Sequence, residues 1–306
     1  MNPTAAVERR LRADGAMRSD VGAVRQLNED SVVYVAPRNG DPAAVRGSLM
    51  LVADGMGGHA AGEVASDLAA KTIRRVYYEF AGEVPELLAS AFLAANRAIL
   101  DWAEQNPECK GMGTTCTAVA LRDGQAWLGH IGDSRAYLLR NGILTQLSDD
   151  QTLVAQMVRE GKLSPEDAHN SPVSNVILQA LGSSADIAPD IWSEPLALAA
   201  GDILVLCTDG LTGVVPDATI ADQVERLPPD EACEGLIDLA LAAGGPDNVS
   251  VGVFRIVADA NRQDGDQPAD AAGTTRRVAL SGEESANQGS EQTRQLELGR
   301  KRTSAQ

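Results

Sequence analysis

Four aspartates share one local pattern: Asp54-Gly55, Asp133, Asp209-Gly210 and Asp247 each stand where an apolar run meets a polar or glycine-rich turn. Turns of this kind gather at the rim of a sheet, where a rigid scaffold commonly carries a site. Carboxylates converging on one rim repel each other unless cations lie between them. Hard oxygen ligands select Mg2+ or Mn2+, whereas zinc prefers Cys and His. Two such ions about 3.5–4 Å apart form a clamp for phosphate chemistry. Taken singly, an Asp-Gly after a strand is most often only a turn, and periodicity alone does not bring the four together.

The elements that would position them alternate between strand and helix patterns. Ser48–Ala53 is short and apolar and stops at Asp54-Gly55. Ala61–Phe80 has apolar residues at helical spacing, and Pro85–Gln105 reads as a second amphipathic helix closed by Asn106-Pro107. Thr114–Leu121, Ala126–Ile131 and Ala136–Arg140 read as successive strands, broken at Asp123-Gly124 and Gly132-Asp133. Asp150–Gly161 reads as helical, Ile203–Cys207 as a buried strand, Glu231–Ala243 as a helix and Val249–Ile256 as a last strand. Antiparallel strands in series with paired helices predict an α+β fold, two sheets packed face to face and covered by helices.

The acidic balance suits an oxygen-rich metal site, although an acidic surface serving only solubility is the commoner explanation of it, and the bulk numbers argue against other classes. Of 306 residues, 44% are hydrophobic, enough for a sizeable core. The formal charge of -17 argues against a nucleic-acid surface, which needs a basic face. The four cysteines form no C-x-x-C pair, so neither a zinc ribbon nor a disulfide framework is indicated, and a reducing cytoplasm fits. The first 17 residues lack the apolar run of a signal peptide, and no stretch is long and apolar enough to span a membrane.

Motifs in order identify a family. Asp20-Val-Gly-Ala-Val-Arg25-Gln-Leu-Asn-Glu29-Asp30 resembles the opening motif of the metal-dependent protein phosphatases, the type 2C Ser/Thr phosphatases. Val52-Ala-Asp54-Gly55-Met-Gly57-Gly58-His59 resembles their metal-binding strand end in its bacterial form. Gly111–Cys116, Gly129–Arg135, Cys207–Gly210 and Gly245–Asn248 match the remaining motifs, over about residues 16–257. One such motif is weak; six in order are specific.

The resemblance implies a four-layer α-β-β-α sandwich. It implies that Asp54 bridges two Mn2+ or Mg2+ ions and orients a water between them, that the Gly55 carbonyl binds the second ion, and that Asp209 and Asp247 complete the centre. Asp133 matches the residue for a third, weaker ion, and Glu29 acts through water. Arg25 would hold the substrate phosphate, which suits a planar guanidinium that stays charged. Asp30 would only support the ligand shell. The reaction would be hydrolysis of phosphoserine and phosphothreonine in proteins by a metal-activated water. The partners implied are phosphorylated proteins and a cognate bacterial Ser/Thr kinase, with no nucleic acid and no membrane, in a cytoplasmic monomer.

Other residues admit competing readings. His59 could contact substrate or cap a loop; Met56 occupies the place of the general-acid His of eukaryotic members. His130 reads as structural. Cys116 and Arg122 fit the C-x5-R spacing of cysteine-dependent phosphatases, but the residues between them read as a strand rather than a phosphate loop. A family member that binds without catalysis, or a two-metal nuclease or cyclic-nucleotide hydrolase, are the alternatives; the retained ligand positions weigh against the first and the absence of a basic stripe against the nuclease. The expected organisation is a flexible arm over residues 1–15, a phosphatase domain over 16–257 with a flap at about 150–182 beside the active site, and a disordered tail over 258–306. That tail has no aromatic residue and balances eight acids against seven bases.

Overall fold

The structure, a computed structural model, describes residues 11–37, 41–57, 61–169 and 171–258. In chain order the strands are β1 (Leu11–Asp20), β2 (Asp30–Val35), β3 (Ser48–Met56), β4 (Gly113–Thr114), β5 (Cys116–Arg122), β6 (Gln125–Ile131), β7 (Arg135–Arg140), β8 (Ile143–Gln146), β9 (Asp190–Ile191), β10 (Leu196–Ala197), β11 (Ile203–Cys207) and β12 (Val249–Ala258). The helices are α1 (Ala61–Glu79), α2 (Val84–Gln105), α3 (Leu153–Arg159), α4 (Pro165–His169), α5 (Asp209–Thr212), α6 (Asp217–Arg226) and α7 (Pro229–Ala242).

The strands form two antiparallel sheets. One has the order β1-β12-β11-β7-β8; the other has the order β10-β6-β5-β3-β2, with β4 beside β3 and β9 beside β6. Central strands are apolar on both faces, and their two-residue period sorts side chains into different cores. On β3, Leu49, Leu51 and Ala53 face a core shared with α1 and α2, while Met50 and Val52 face the opposite sheet. On β11, Ile203, Val205 and Cys207 join a core with α6 and α7, while Leu204 and Leu206 meet Met50 and Val52. Three cores between four layers make the expected α-β-β-α sandwich. The helices present apolar stripes to it: Ala65, Ala69, Ile73, Val76 and Tyr77 on α1, and Ala232, Cys233, Leu236 and Ala240 on α7.

Several boundaries differ from expectation. The arm expected over residues 1–15 is a strand from Leu11, paired residue for residue with β12 from Leu11↔Ala258 to Asp20↔Val249. Its period is hard to read because only Ala13 and Met17 are buried, and Gly15 between them lies against Phe254, where a Cβ would collide with the ring. The strand β12 likewise runs through Ala258, the first residue assigned to the tail. The remainder of arm and tail lies outside the described residues. The helix expected over Asp150–Gly161 shortens to α3, because Thr152 caps it, its Oγ1 accepting from Ala155 N at 3.2 Å. Val154 is its buried residue, while Leu153, Met157 and Val158 are half-buried. β2, β8 and α6 have no counterpart among the elements expected from the sequence.

Candidate active site

Five acidic positions arrive at one end of the paired sheets. Asp30 opens β2 and pairs in register with Asp54 near the end of β3. Asp133 lies between β6 and β7, Asp209 follows β11 and opens α5, and Asp247 precedes β12. The turn carrying Asp54 is held by its backbone: Asp54 N donates to Thr115 Oγ1 at 3.0 Å, and the Asp54 carbonyl accepts from Thr115 N and Thr114 Oγ1, both at 2.9 Å. Gly55 N donates to the Glu29 carbonyl at 3.1 Å. A Cβ on Gly55 would collide with the carbonyls of Glu29 and Gly62, so only glycine allows the strand end to lie this close to α1.

Asn248 ties a second loop to the same place. Its Oδ1 accepts from Glu29 N at 2.8 Å, and its Nδ2 donates to the carbonyls of Val21 and Leu27 at 2.9 Å each. These bonds fix residues 21–29 beside Asp247. Arg25 there donates from Nη2 to Asp247 Oδ2 at 2.7 Å and lies 3.9 Å from Glu29. Its side chain is 47% exposed, so it stands at the mouth of the cluster, between carboxylates and solvent.

The electrostatics are those of a site short of positive charge. Burial, with the neighbouring Asp30 and Asp209, pushes the Asp54 carboxyl well above its ordinary range. Asp209 is raised by burial first and by Asp247, against the lowering influence of Arg25. Burial raises Asp30 to about 7, although its Oδ2 accepts from Ser250 Oγ at 2.7 Å and Thr208 Oγ1 at 2.9 Å. Burial and Asp209 raise Asp133 to about 7, and burial raises Glu29. Among the described residues, four buried carboxylate oxygens have no hydrogen-bond partner: Glu29 Oε1, Asp30 Oδ1, Asp133 Oδ1 and Asp209 Oδ1. Buried polar atoms are nearly always satisfied, so four orphans within one acidic cluster require a ligand. Hard divalent cations fit both the oxygen donors and the charge.

The expected residues Arg25, Glu29, Asp54, Gly55, Asp209 and Asp247 therefore come together, with Asp133 near enough for the charge of Asp209 to raise its carboxyl. His59 lies outside the described residues. Asp30 joins the cluster as well, and sequence reasoning passed over Thr115, Thr208, Asn248 and Ser250. The available signal was polar residues inside or directly beside otherwise apolar strands. The C-x5-R spacing is geometrically empty: Cys116 and Arg122 open and close β5, burial pushes the thiol up, and Arg122 instead bonds Glu83 at 2.9 Å and lies over Trp127.

Comparison with known proteins agrees with this geometry. The family model for protein phosphatase 2C matches residues 24–240. The chain is 43% identical over 243 residues to serine/threonine protein phosphatase PstP of Mycobacterium tuberculosis, a match covering 79% of this chain but 45% of that protein, so the chain spans under half the length of this relative. It is 35% identical to serine/threonine phosphatase stp of Listeria monocytogenes, covering 76% of this chain and 92% of that one. The crystal structure of the PstP catalytic domain in complex with two manganese ions superposes with a TM-score of 0.70 at 41% identity, covering 81% of this chain and 99% of that one. With motifs, fold and acidic cluster in agreement, the chain belongs to the protein phosphatase 2C family.

Proposed function

We propose that the chain hydrolyses phosphoserine and phosphothreonine in proteins with the help of two Mn2+ or Mg2+ ions, and that it opposes a Ser/Thr kinase. The observation that carries this reading is the set of unpartnered buried carboxylate oxygens beside one exposed guanidinium. Asp54, the Gly55 carbonyl, Asp209 and Asp247 would hold the two ions, Glu29 would act through water, and Asp133 would serve a third. When bound, such ions lower the pKa of a water to near neutrality and screen the phosphoryl oxygens.

The chain's own residues supply position. Arg25 offers two parallel N–H groups to the phosphoryl oxygens, and its place at the mouth sets the phosphate over the carboxylates. Thr114 and Thr115 lock the Asp54 backbone, and Asn248 registers the Arg25 loop on the Asp247 turn. Thr208 and Ser250 hold one oxygen of Asp30 and leave the other facing the cluster, where it supports the ligand shell. The segment 150–182, which follows β8 at the Asp133 side, is read as a flap that takes part in substrate choice. Four free, buried cysteines suit a reducing compartment, and among the described residues no helix is long and apolar enough to cross a membrane; a cytoplasmic monomer is part of the proposal.

The test is hydrolysis of p-nitrophenyl phosphate and a phosphothreonine peptide. Turnover that requires Mn2+, stops with EDTA and is lost in Asp209→Ala supports the reading. No turnover in the presence of Mn2+, together with no metal uptake by calorimetry, would overturn it in favour of an inactive binding member.

A further inference from the structure

His130 is fully buried, and the proposed chemistry does not use it. It sits on β6, within the seven-stranded sheet, and both ring nitrogens are engaged. Nε2 lies 3.0 Å from the carbonyl of Asp149, and Nδ1 lies 2.9 Å from Thr117 Oγ1 on β5. A carbonyl oxygen only accepts, so Nε2 carries a proton. Burial holds the ring below its ordinary pKa, so Nδ1 and the Ser134 carbonyl compete for the single proton of the Thr117 hydroxyl. The same hydroxyl lies 2.7 Å from the carbonyl of Ser134. Ser134 Oγ in turn meets Thr115 Oγ1 at 2.7 Å, and Thr115 Oγ1 accepts from Asp54 N. A continuous polar line thus runs from the backbone of Asp54 to the carbonyl of Asp149.

Asp149 is the root of the 150–182 segment. The other ties of that root come from β7, the loop before it, β8 and α3; Gln146 Nε2 donates to the Ser148 carbonyl and Asp150 Oδ1 at 2.7 and 2.8 Å, and Arg159 Nη1 to the Asp150 carbonyl at 3.2 Å. Ala136 N donates to Ser148 Oγ at 3.1 Å, Arg135 grips the Asp150 carboxylate at 2.6–3.1 Å, and Gln151 exchanges two bonds with Gly132 at 2.8 and 3.0 Å. From Gln151 the segment continues through bonds of Leu178 N to the Gln151 carbonyl and Leu153 N to the Val176 carbonyl, both at 2.8 Å. The His130 bond alone among these arises within a strand of the opposite sheet, the sheet that carries Asp54.

We propose that His130 is a positioning residue for phosphoprotein substrates, pinning the root of the 150–182 segment to the strand floor that carries Asp54. This rests on the reading of that segment as part of the substrate site. A phosphopeptide spans the mouth and reaches the segment, whereas p-nitrophenyl phosphate occupies only the phosphate position. Loss of the pin therefore raises the peptide KM and leaves turnover of the small ester near its original value.

Two isosteres separate the two halves of the ring. In His130→Gln the amide reaches the Nε2 position and keeps the bond to Asp149. In His130→Asn it reaches only the Nδ1 position and keeps Thr117. The expected result is a peptide KM raised about three- to tenfold in His130→Asn, the effect of one lost hydrogen bond, and near the original value in His130→Gln. All variants should turn over p-nitrophenyl phosphate within about twofold of the original chain, since no reacting group is touched. Amide hydrogen exchange at Gln151, Leu153 and Leu178 should quicken in His130→Asn and not in His130→Gln, a readout that needs no activity. The 15N spectrum of the original ring should show one neutral tautomer, protonated at Nε2. Equal behaviour of the two variants in KM and exchange would overturn the proposal, as would loss of p-nitrophenyl phosphate turnover in parallel with the peptide. Failure of the original chain to hydrolyse either substrate with Mn2+ would instead strike the phosphatase reading, while the exchange measurement still decides the pin.

Discussion

The two ends of β11 carry the same residue type in opposite circumstances. Asp202, just before the strand, is buried, yet every oxygen is served: Arg140 donates from Nε to Oδ1 at 2.9 Å and from Nη2 to Oδ2 at 2.6 Å, and Ala199 N donates to Oδ2 at 2.7 Å. Burial pushes its carboxyl up, but these bonds win and hold it below the ordinary range. Asp209, just after the strand, is half-buried among other acids and keeps a buried Oδ1 without a partner. A strand of five residues thus separates a carboxylate that the fold has satisfied from one that it has left for a ligand. What decides their state is the counter-charge, which Asp202 has in Arg140 and Asp209 lacks.

Substitution should break this pair in opposite directions. Asp209→Asn should lower kcat/KM at least about a hundredfold, as loss of a principal charge-stabilising group does, while the metal-free protein keeps or gains stability because a repelling charge is gone. Asp202→Asn should do the reverse. It leaves Arg140 unmatched and should cost about 2 kcal/mol in a urea titration, less than a fully buried pair would because Arg140 is 37% exposed. Its kcat/KM per folded molecule should stay within about twofold of the original, the site being untouched.

Metal binding should sharpen the contrast. Saturating the site at about a hundred times Kd should stabilise the folded chain by about 2.7 kcal/mol, seen as a rise in Tm on adding Mn2+. The rise should persist in Asp202→Asn and shrink in Asp209→Asn.

The ends should also respond to pH in opposite windows. Asp30 and Asp133 titrate near 7 in the folded, metal-free chain but near 3.9 when unfolded, so the folded form binds more protons between those values. Stability of the EDTA-treated protein should therefore fall as pH rises from about 4 through about 7. Asp202, with its lowered carboxyl, contributes stability above its unfolded pKa and loses it only as pH falls below about 4. Melting curves from pH 3 to 8, with and without Mn2+, separate the two, since bound cations should abolish the upper window alone.

The smallest effect concerns the arginines. Arg25→Lys replaces a two-pronged donor by a point charge and should raise KM for p-nitrophenyl phosphate about tenfold. Arg140→Lys should cost under about 1 kcal/mol of stability and leave KM alone.

Much of the scaffold is legible in the residues themselves. β3 and β11 announce themselves because both faces of each are apolar, and β12 because valines recur at every second position from Val249 to Val253; Asp54 and Asp209 stand where the first two runs stop. Convergence is not legible from the residues alone, since Asp30 and Asp54 meet only through the register of β2 on β3, and Asp247 meets Arg25 across 222 positions. The ordered motifs supply that knowledge indirectly. β1 stays hidden because its packing against Phe254 requires Gly15 where a readable strand would show an apolar side chain. Asn248 and Ser250 stay hidden for another reason: their value lies in which backbone group or carboxylate lies opposite, and composition carries no record of that.

The pairing of β1 with β12 has a practical consequence. Leu11 and Ala258 are cross-strand neighbours, and the nine residue steps from Leu11 to Asp20 place both about 30 Å from the carboxylate rim. A short linker between these two residues would close the described chain on itself, and the tight turn at Asp123-Gly124 offers a place to open it again. A circular permutant cut there keeps every strand pairing, and a tether or reporter attached at either new end hangs from the face opposite the chemistry.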